Sequence, residues 1–431
     1  MTSSGRSPAV AIATSALVGC FGSSTPSAPQ GQTDGAAMEA ATVVSDGGTD
    51  ATTGDGGAPE GSTGASEGGT DGGVTSDAAC AGDGGPGTFT CTGSLATARI
   101  APGAAVLSSG AVLVAGGWNA TDQTVTSAEV YDPATGTFAP TGSMTDAHLW
   151  AGWTAPWPVL PSGKVLTGGG LAASGALLAS AELYDPATGA FSSTGSLGTA
   201  VIAFGLVTLP EGSVLFIGGY SAVTGAAPTP GWQYTAGTEL VQSYAPTAAL
   251  FSSVAPLAEQ RLFGCNVVLA GTVLAIGGWV GPPATAESNI EQYDPATTEW
   301  TTVGTLDDGV TCGDGAFVLP DGQILLDGNN ILDPTTWTTT PTTNTFTTTS
   351  AMFAQLATGD VLAVGGQDST GTAIAQAQIY QAATGEWVTV GSLHETRSGG
   401  RALLLPSGDV LVVGGGNASG AALASAELYH P

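Results

Sequence analysis

Four basic residues recur at one position of a repeating phrase: Arg99, His148, Arg261 and Arg397 each stand four residues after the Leu or Met of a GSL-like triplet. The same position holds Val201 and Val310 in two other copies. The whole chain has only six Lys plus Arg against 35 Asp plus Glu, so three arginines at one register mark a placed function. A guanidinium at a concave mouth can hold a carboxylate in a two-pronged hydrogen bond. The same group can equally pair inside the protein with a Glu two residues before a conserved-register Tyr, namely Glu129, Glu182, Glu291 or Glu427. The first reading makes these bases ligand contacts. The second makes them ties between parts of the fold.

The elements that position them are repeats. An apolar run ending in two glycines, VLVAGG at 112–117, returns as VLTGGG, VLFIGG, VLAIGG, ILLDGN, VLAVGG and VLVVGG. Each is followed by a phrase such as AEVYDPATGTF at 128–138. The first glycines are Gly116, Gly169, Gly218, Gly277, Gly328, Gly365 and Gly414. A period of about 50 residues is that of a propeller or array. Four apolar residues before a glycine pair fit a strand buried on both faces, and the alternation in AEVY fits a half-buried strand. Asp-Pro opens a turn in which Gly136 or Gly189 takes positive φ. Phe or Trp then begins an outer strand, and the apolar segment after each basic position adds an inner one.

These residues resemble the Kelch repeat: an apolar strand, Gly-Gly, a Tyr-Asp strand, and Trp six residues before Leu. The resemblance implies an all-β propeller of four-stranded blades over 87–431. Residues 87–95, GTFTCTGSL, match 136–144, while the last repeat stops at Tyr429–Pro431. The first strand therefore completes the last blade, giving seven blades in a closed ring. The short interval between the fifth and sixth repeats leaves a six-bladed count open. On this resemblance the bases gather round a central channel, and Trp118, Tyr220, Trp279 and Gln367, next to the glycine pairs, share their face. Trp150, Trp153 and Trp157 fall in a Trp-rich insertion that follows His148. Arg and Trp round such a mouth suit a sugar ring or a carboxylate. The expected ligand-binding set is Arg99, His148, Arg261, Arg397, Trp118, Tyr220, Trp279 and Trp150. Trp300, Trp337 and Trp387 are read as packing between blades.

Residues 1–20 read as an export signal, with Arg6, an apolar run at 9–19, and Leu17-Val18-Gly19-Cys20 resembling a bacterial lipoprotein box in which Cys20 is acylated. Residues 21–86 are Gly-, Ser-, Thr- and Asp-rich and read as a disordered tether. The remaining Cys80, Cys91, Cys265 and Cys312 form an even set, expected as the disulfides Cys80–Cys91 and Cys265–Cys312. A formal charge of −29 argues against nucleic acid. No metal or cofactor is expected, although Asp307, Asp308 and Asp314 offer a weak calcium set. His148, His394 and His430 occupy different repeat positions, and no Ser or Cys is assignable to them as a nucleophile. The leading expectation is a monomeric surface lipoprotein of the bacterial envelope, at the outer membrane, binding protein or glycan. Its alternatives are a sugar-processing enzyme resembling a sialic acid mutarotase, and a structural envelope component.

Overall fold

In the computed structural model the described residues are 84–431, apart from 122, 152–154, 225–232, 282–284, 308–314 and 345–347. The signal and most of the tether, with Cys20, Cys80, Cys312, Trp153, Val310, Asp308 and Asp314, lie outside them. Every regular element among the described residues is a strand. Blade 1 runs Gly103–Val106, Val112–Ala115, Ala128–Asp132 and Thr137–Thr141 from inside to outside, each strand antiparallel to the next. Blade 3 (Gly205–Thr208, Val214–Ile217, Val241–Ala245, Leu250–Ser253) and blade 4 (Cys265–Leu269, Thr272–Ile276, Asn289–Asp294, Glu299–Thr305) repeat the plan. So do blade 5 (Ala316–Val318, Ile324–Leu326, Asn330–Asp333, Thr338–Pro341) and blade 6 (Met352–Gln355, Val361–Val364, Ala377–Gln381, Glu386–Thr389).

Blade 7 joins the two ends of the described chain. Its inner strands are Arg401–Leu404, Val410–Val413 and Ala426–His430, and its outer strand is Thr88–Cys91, paired Thr88 to His430 and Cys91 to Glu427. The ring has seven blades. The interval that left six open is short because blade 5 turns from Leu326 to Asn330 through three residues, whereas the others loop further.

Blade 2 departs from the expected four strands. It has Val165–Gly168, Ala181–Asp185 and Ala190–Ser193, and its innermost segment makes only the bridge Val159–Val165. Pro156 and Pro158 remove two backbone donors from that segment. Trp157 instead donates its backbone N–H to Ala104 in blade 1. Its ring fills the space where a Cβ on Gly103 would stand, 1.9 Å away.

The double burial read from VLVAGG has a simple cause. Val112 and Val114 pack towards blade 7 with Leu411 and Val413, while Leu113 and Ala115 pack towards blade 2 with Val165 and Tyr184. Seven of the eight buried clusters sit in this way between successive blades. Closing the ring therefore leaves no blade face bare. The Asp-Pro turns form as expected: Asp132 accepts from the Ala134 N–H at 2.9 Å, and Gly136 takes φ 66°.

The closing strand is held by packing as well as pairing. Phe89 is 2% exposed and lies 5.0 Å, ring to ring, from Tyr429. We expect Phe89→Ala to destabilise the protein by about 3–5 kcal/mol, as for other buried Phe truncations, with Phe138→Ala at the matching half-buried position of blade 1 costing less. Urea denaturation measures both. Equal, small costs would mean that the N-terminal strand does not carry the closure.

Candidate binding face

Each basic residue enters its blade just ahead of the inner strand, beside the end of the second strand. Arg99 places Nη2 3.0 Å from Glu129 and donates from Nη1 to the carbonyls of Gly116 and Ser127. Arg397 repeats this with Glu427 at 2.9 Å, Gly414 and Ser425. Arg261 does so with Glu291 at 2.9 Å, Gly277 and Asn289. In blade 2 an imidazole does the same work. His148 Nδ1 donates to the Gly169 carbonyl at 2.8 Å, and Nε2 sits 3.2 Å from Glu182. A carbonyl only accepts, so Nδ1 carries a proton.

The carboxylates reach further. Glu129 also accepts from the Ala96 and Thr97 backbone N–H groups, Glu182 from Thr145 and Asp146, Glu291 from Ala258, and Glu427 from His394. Those amides lie on the segment arriving from the preceding blade, so each Glu ties that segment to its own blade. Burial acts against ionisation of Glu182, but the His148 bond and the Thr145 and Asp146 amides outweigh it and hold the carboxyl below its usual range. Burial likewise pulls Arg99 and Arg261 below the ordinary arginine value, offset in part by Glu129 and Glu291.

The expectation that Arg99, His148, Arg261 and Arg397 contact a ligand is therefore corrected. All four are 2% exposed or less and are spent on internal partners. Blade 3 supports the pairing from the other side. Where the base is Val201, the Glu position holds Gln242, whose Oε1 accepts from the Gly198 and Thr199 N–H groups. Both charges are exchanged together. The mutarotase-like analogy loses the arginines on which it rested.

The aromatic residues are corrected in part. Trp118, Trp150 and Tyr220 are buried in the eighth cluster, with Leu149, Leu171, Ile202 and Phe263, and Trp279 packs half-buried against it. Trp118 and Trp150 meet edge to face at 4.9 Å. The cause is a ring of short bridges, Ile100–Trp118, Leu149–Leu171, Ile202–Tyr220 and Leu262–Trp279, that draw these residues to the axis. They form the floor of one face. The next residue in each entry segment is left-handed: Ala101 (φ 50°), Trp150 (59°), Ala203 (56°), Phe263 (51°), Ser350 (55°) and Gly399 (63°). Such backbone is strained for a residue with a Cβ. Ala101, Ser350 and Gly399, from blades 1, 6 and 7, line a recess beside the floor.

Around the floor the rim is uneven. Blades 3 and 4 carry extra hairpins, Tyr220–Thr224 with Gln233–Gly237 and Trp279–Val280 with Thr285–Ala286. Blades 1, 6 and 7 carry short loops in which Asn119, Asp368 and Asn417 cap the turn with their own side chains. Blade 5 is cut down to its three-residue turn.

Of the weak calcium set, Asp307 bonds to Thr339, and Asp308 and Asp314 lie outside the described residues. Cys91 and Cys265 are disulfide-bonded, and the partners expected for them lie outside the described residues. Sequence reading gave His430 no nucleophile, yet its Nε2 is 2.8 Å from Thr90 Oγ1 and its Nδ1 2.8 Å from Asp409. The order hydroxyl, imidazole, carboxylate is that of a catalytic relay. Here it joins the closing strand to its neighbours on the seam of blade 7, and it serves as a staple. Sequence reading also passed over Arg401, at the head of the blade 7 inner strand. Its signal was a lone base where other blades have small or apolar residues.

The Kelch motif matches residues 99–145 and 260–306, two segments that each contain an Arg–Glu tie. Kelch-like protein 34 of Homo sapiens is 29% identical over 214 residues, 48% of this chain and 30% of that protein. The chain thus spans less than a third of that relative's length.

The ties make a clean prediction. Arg261→Val alone should cost about 3–5 kcal/mol, because Glu291 is left buried without its cation. Arg261→Val with Glu291→Gln, which copies blade 3, should recover most of that loss. A double-mutant cycle by urea denaturation checks it, and strictly additive costs would contradict the pairing. Taken with the closed ring, the chain is a seven-bladed β-propeller in which two repeats match the Kelch motif.

Proposed function

We propose that this propeller is a protein-interaction module that docks its partner on the glycine-pair face, and that the chain is exported and lipid-anchored through Cys20. The observation that carries the docking is the uneven rim over an aromatic floor. Hairpins on blades 3 and 4 stand against a turn of three residues on blade 5, which gives the face a wall and an opening. Kelch-type propellers serve commonly as interaction modules, and a fold alone does not name a partner.

A glycan on the same face is the second reading. It rests on Trp118 and Trp279, whose indole N–H groups have no acceptor among the described residues. Export is supported by Arg6, the apolar run at 9–19 and the Leu17–Cys20 box. The bonded state of Cys91 and Cys265 suits an oxidising compartment. In this reading residues 21–86 hold the propeller off the outer membrane, the disulfides are Cys80–Cys91 and Cys265–Cys312, and the propeller acts as a monomer.

The test compares faces. Asp368→Arg and Asn417→Arg alter the proposed docking face, and Asp132→Arg alters the opposite turns. Cross-linking in cells, followed by mass spectrometry, should recover a partner with the wild type and Asp132→Arg and lose it with the first two. Loss with Asp132→Arg alone would place binding elsewhere. A fatty-acid label fed to the same cells should appear on the wild type and not on Cys20→Ser.

A further inference from the structure

The entry to blade 6 is built from different residues. The bridge Thr349–Gln367 matches Ile100–Trp118 and Ser398–Gly416, so Thr348 stands where blades 1 and 7 have Arg99 and Arg397. The carboxylate position, opposite Ala363 as Glu129 is opposite Val114, holds Gln378. Glu129, Glu182, Gln242, Glu291 and Glu427 are all buried and bonded to the arriving segment. Gln378 is only half-buried, and its side-chain amide makes no hydrogen bond among the described residues. Thr348 Oγ1 is buried with no partner, as are Asn329 Oδ1 in blade 5 and Gln367 Oε1 in blade 6. Buried polar atoms left unpaired weaken the packing that seals them.

The outer edge of this junction lacks a bond as well. Into blades 1, 2 and 3 a Thr hydroxyl meets the Tyr hydroxyl of the next blade, as Thr141 meets Tyr184 at 2.9 Å. Thr343 reaches the Gly385 carbonyl at 3.0 Å and not the Tyr380 hydroxyl. Blades 5 and 6 are instead spanned by Gln355 Nε2 on the Val318 carbonyl at 2.7 Å and by Trp387 Nε1 on the Gly328 carbonyl at 2.6 Å. Both bonds join neutral groups, the weaker class. The blade 7 seam is held harder. Arg397 and His394 share Glu427, His430 joins Thr90 to Asp409, and Phe89 packs on Tyr429.

Proteins open locally where packing and bonding are weakest. We propose that the ring parts reversibly between blades 5 and 6 before it parts at the blade 7 seam. This inference goes beyond the docking reading and does not depend on it. The parting line lies beside the three-residue turn of blade 5, on the low side of the rim. A partner that touched both blades there would bind the shut ring and hold it shut.

The test places single thiols in the full chain at alanines that are 0% exposed. Ala363 reports on the packing between blades 5 and 6, Ala377 on the cluster that holds Phe89, and Ala275 on the packing between blades 3 and 4. Each Ala→Cys variant meets an aromatic disulfide reagent under native conditions, and peptide mass spectrometry follows the label. Ala363→Cys should react at least ten-fold faster than Ala377→Cys and Ala275→Cys. Trp387→Phe copies Phe138 of blade 1 and removes the bond to Gly328. It should speed labelling at position 363 a further ten-fold and leave position 275 unchanged. Should Ala363→Cys melt early, Val361→Cys, 0% exposed in the same cluster, takes its place. Equal rates at the three positions would mean one cooperative ring and overturn the proposal. Fastest labelling at position 377 would put the opening at the seam, and a rate at 363 unmoved by Trp387→Phe would take it away from this junction.

Discussion

The structure depends on a buried nitrogen side chain that joins a carboxylate to a glycine turn. At the entry to blades 1, 4 and 7 an arginine, and at blade 2 the His148 imidazole, binds a carboxylate of its own blade and the carbonyl of the first glycine of the turn. That carboxylate in turn binds the backbone arriving from the blade before. Without it, a glycine carbonyl and linker amides would be buried unsatisfied, at a cost of about 1–3 kcal/mol each. The Nε of Arg99, Arg261 and Arg397 has no acceptor among the described residues, so each tie is an imperfect solution to its own burial. Its worth lies less in net stability than in fixing where each inner strand begins.

A second set of bonds repeats at the outer edge. The Thr of the TGS phrase meets the Tyr hydroxyl of the next blade: Thr92 with Tyr131 at 2.8 Å, Thr141 with Tyr184 at 2.9 Å, and Thr194 with Tyr244 at 2.7 Å. The glycine that follows donates to the turn of that blade, Gly93 to Gly136 and Gly142 to Gly189. At the seam Gly391 donates to Gly87, so the N-terminal segment takes the place of a normal turn. The inner ties and outer bonds bracket apolar cores, and function is left to the loops of one face.

Much of the fold was legible in the sequence because its devices are local. Glycine pairs, alternating Tyr strands and Asp-Pro turns each announce an element, and the match of 87–95 to 136–144 announced the closure. The inner segment of blade 2 was not legible, because Pro156 and Pro158 weaken pairing without moving the chain. The site was half legible. Arg99 and Glu129 were both singled out, but whether an arginine faces a ligand or a carboxylate is decided by burial across blades. Trp118 read as a loop aromatic because its bridge to Ile100 is non-local. Arg401 was visible as an odd residue in an otherwise apolar register, a signal that only the strand pairing makes firm.

The central claim is that the carboxylate ties make the blade-to-blade segments part of the core. Native-state hydrogen exchange tests it most directly, at the backbone amides of Ala96, Thr145, Asp146 and Ala258. These lie outside every strand, yet the account predicts that they exchange only by global unfolding, at the same free energy as Val114 and Val412. Exchange at the rate of the surface loops around Asn119 and Asn417 would contradict it.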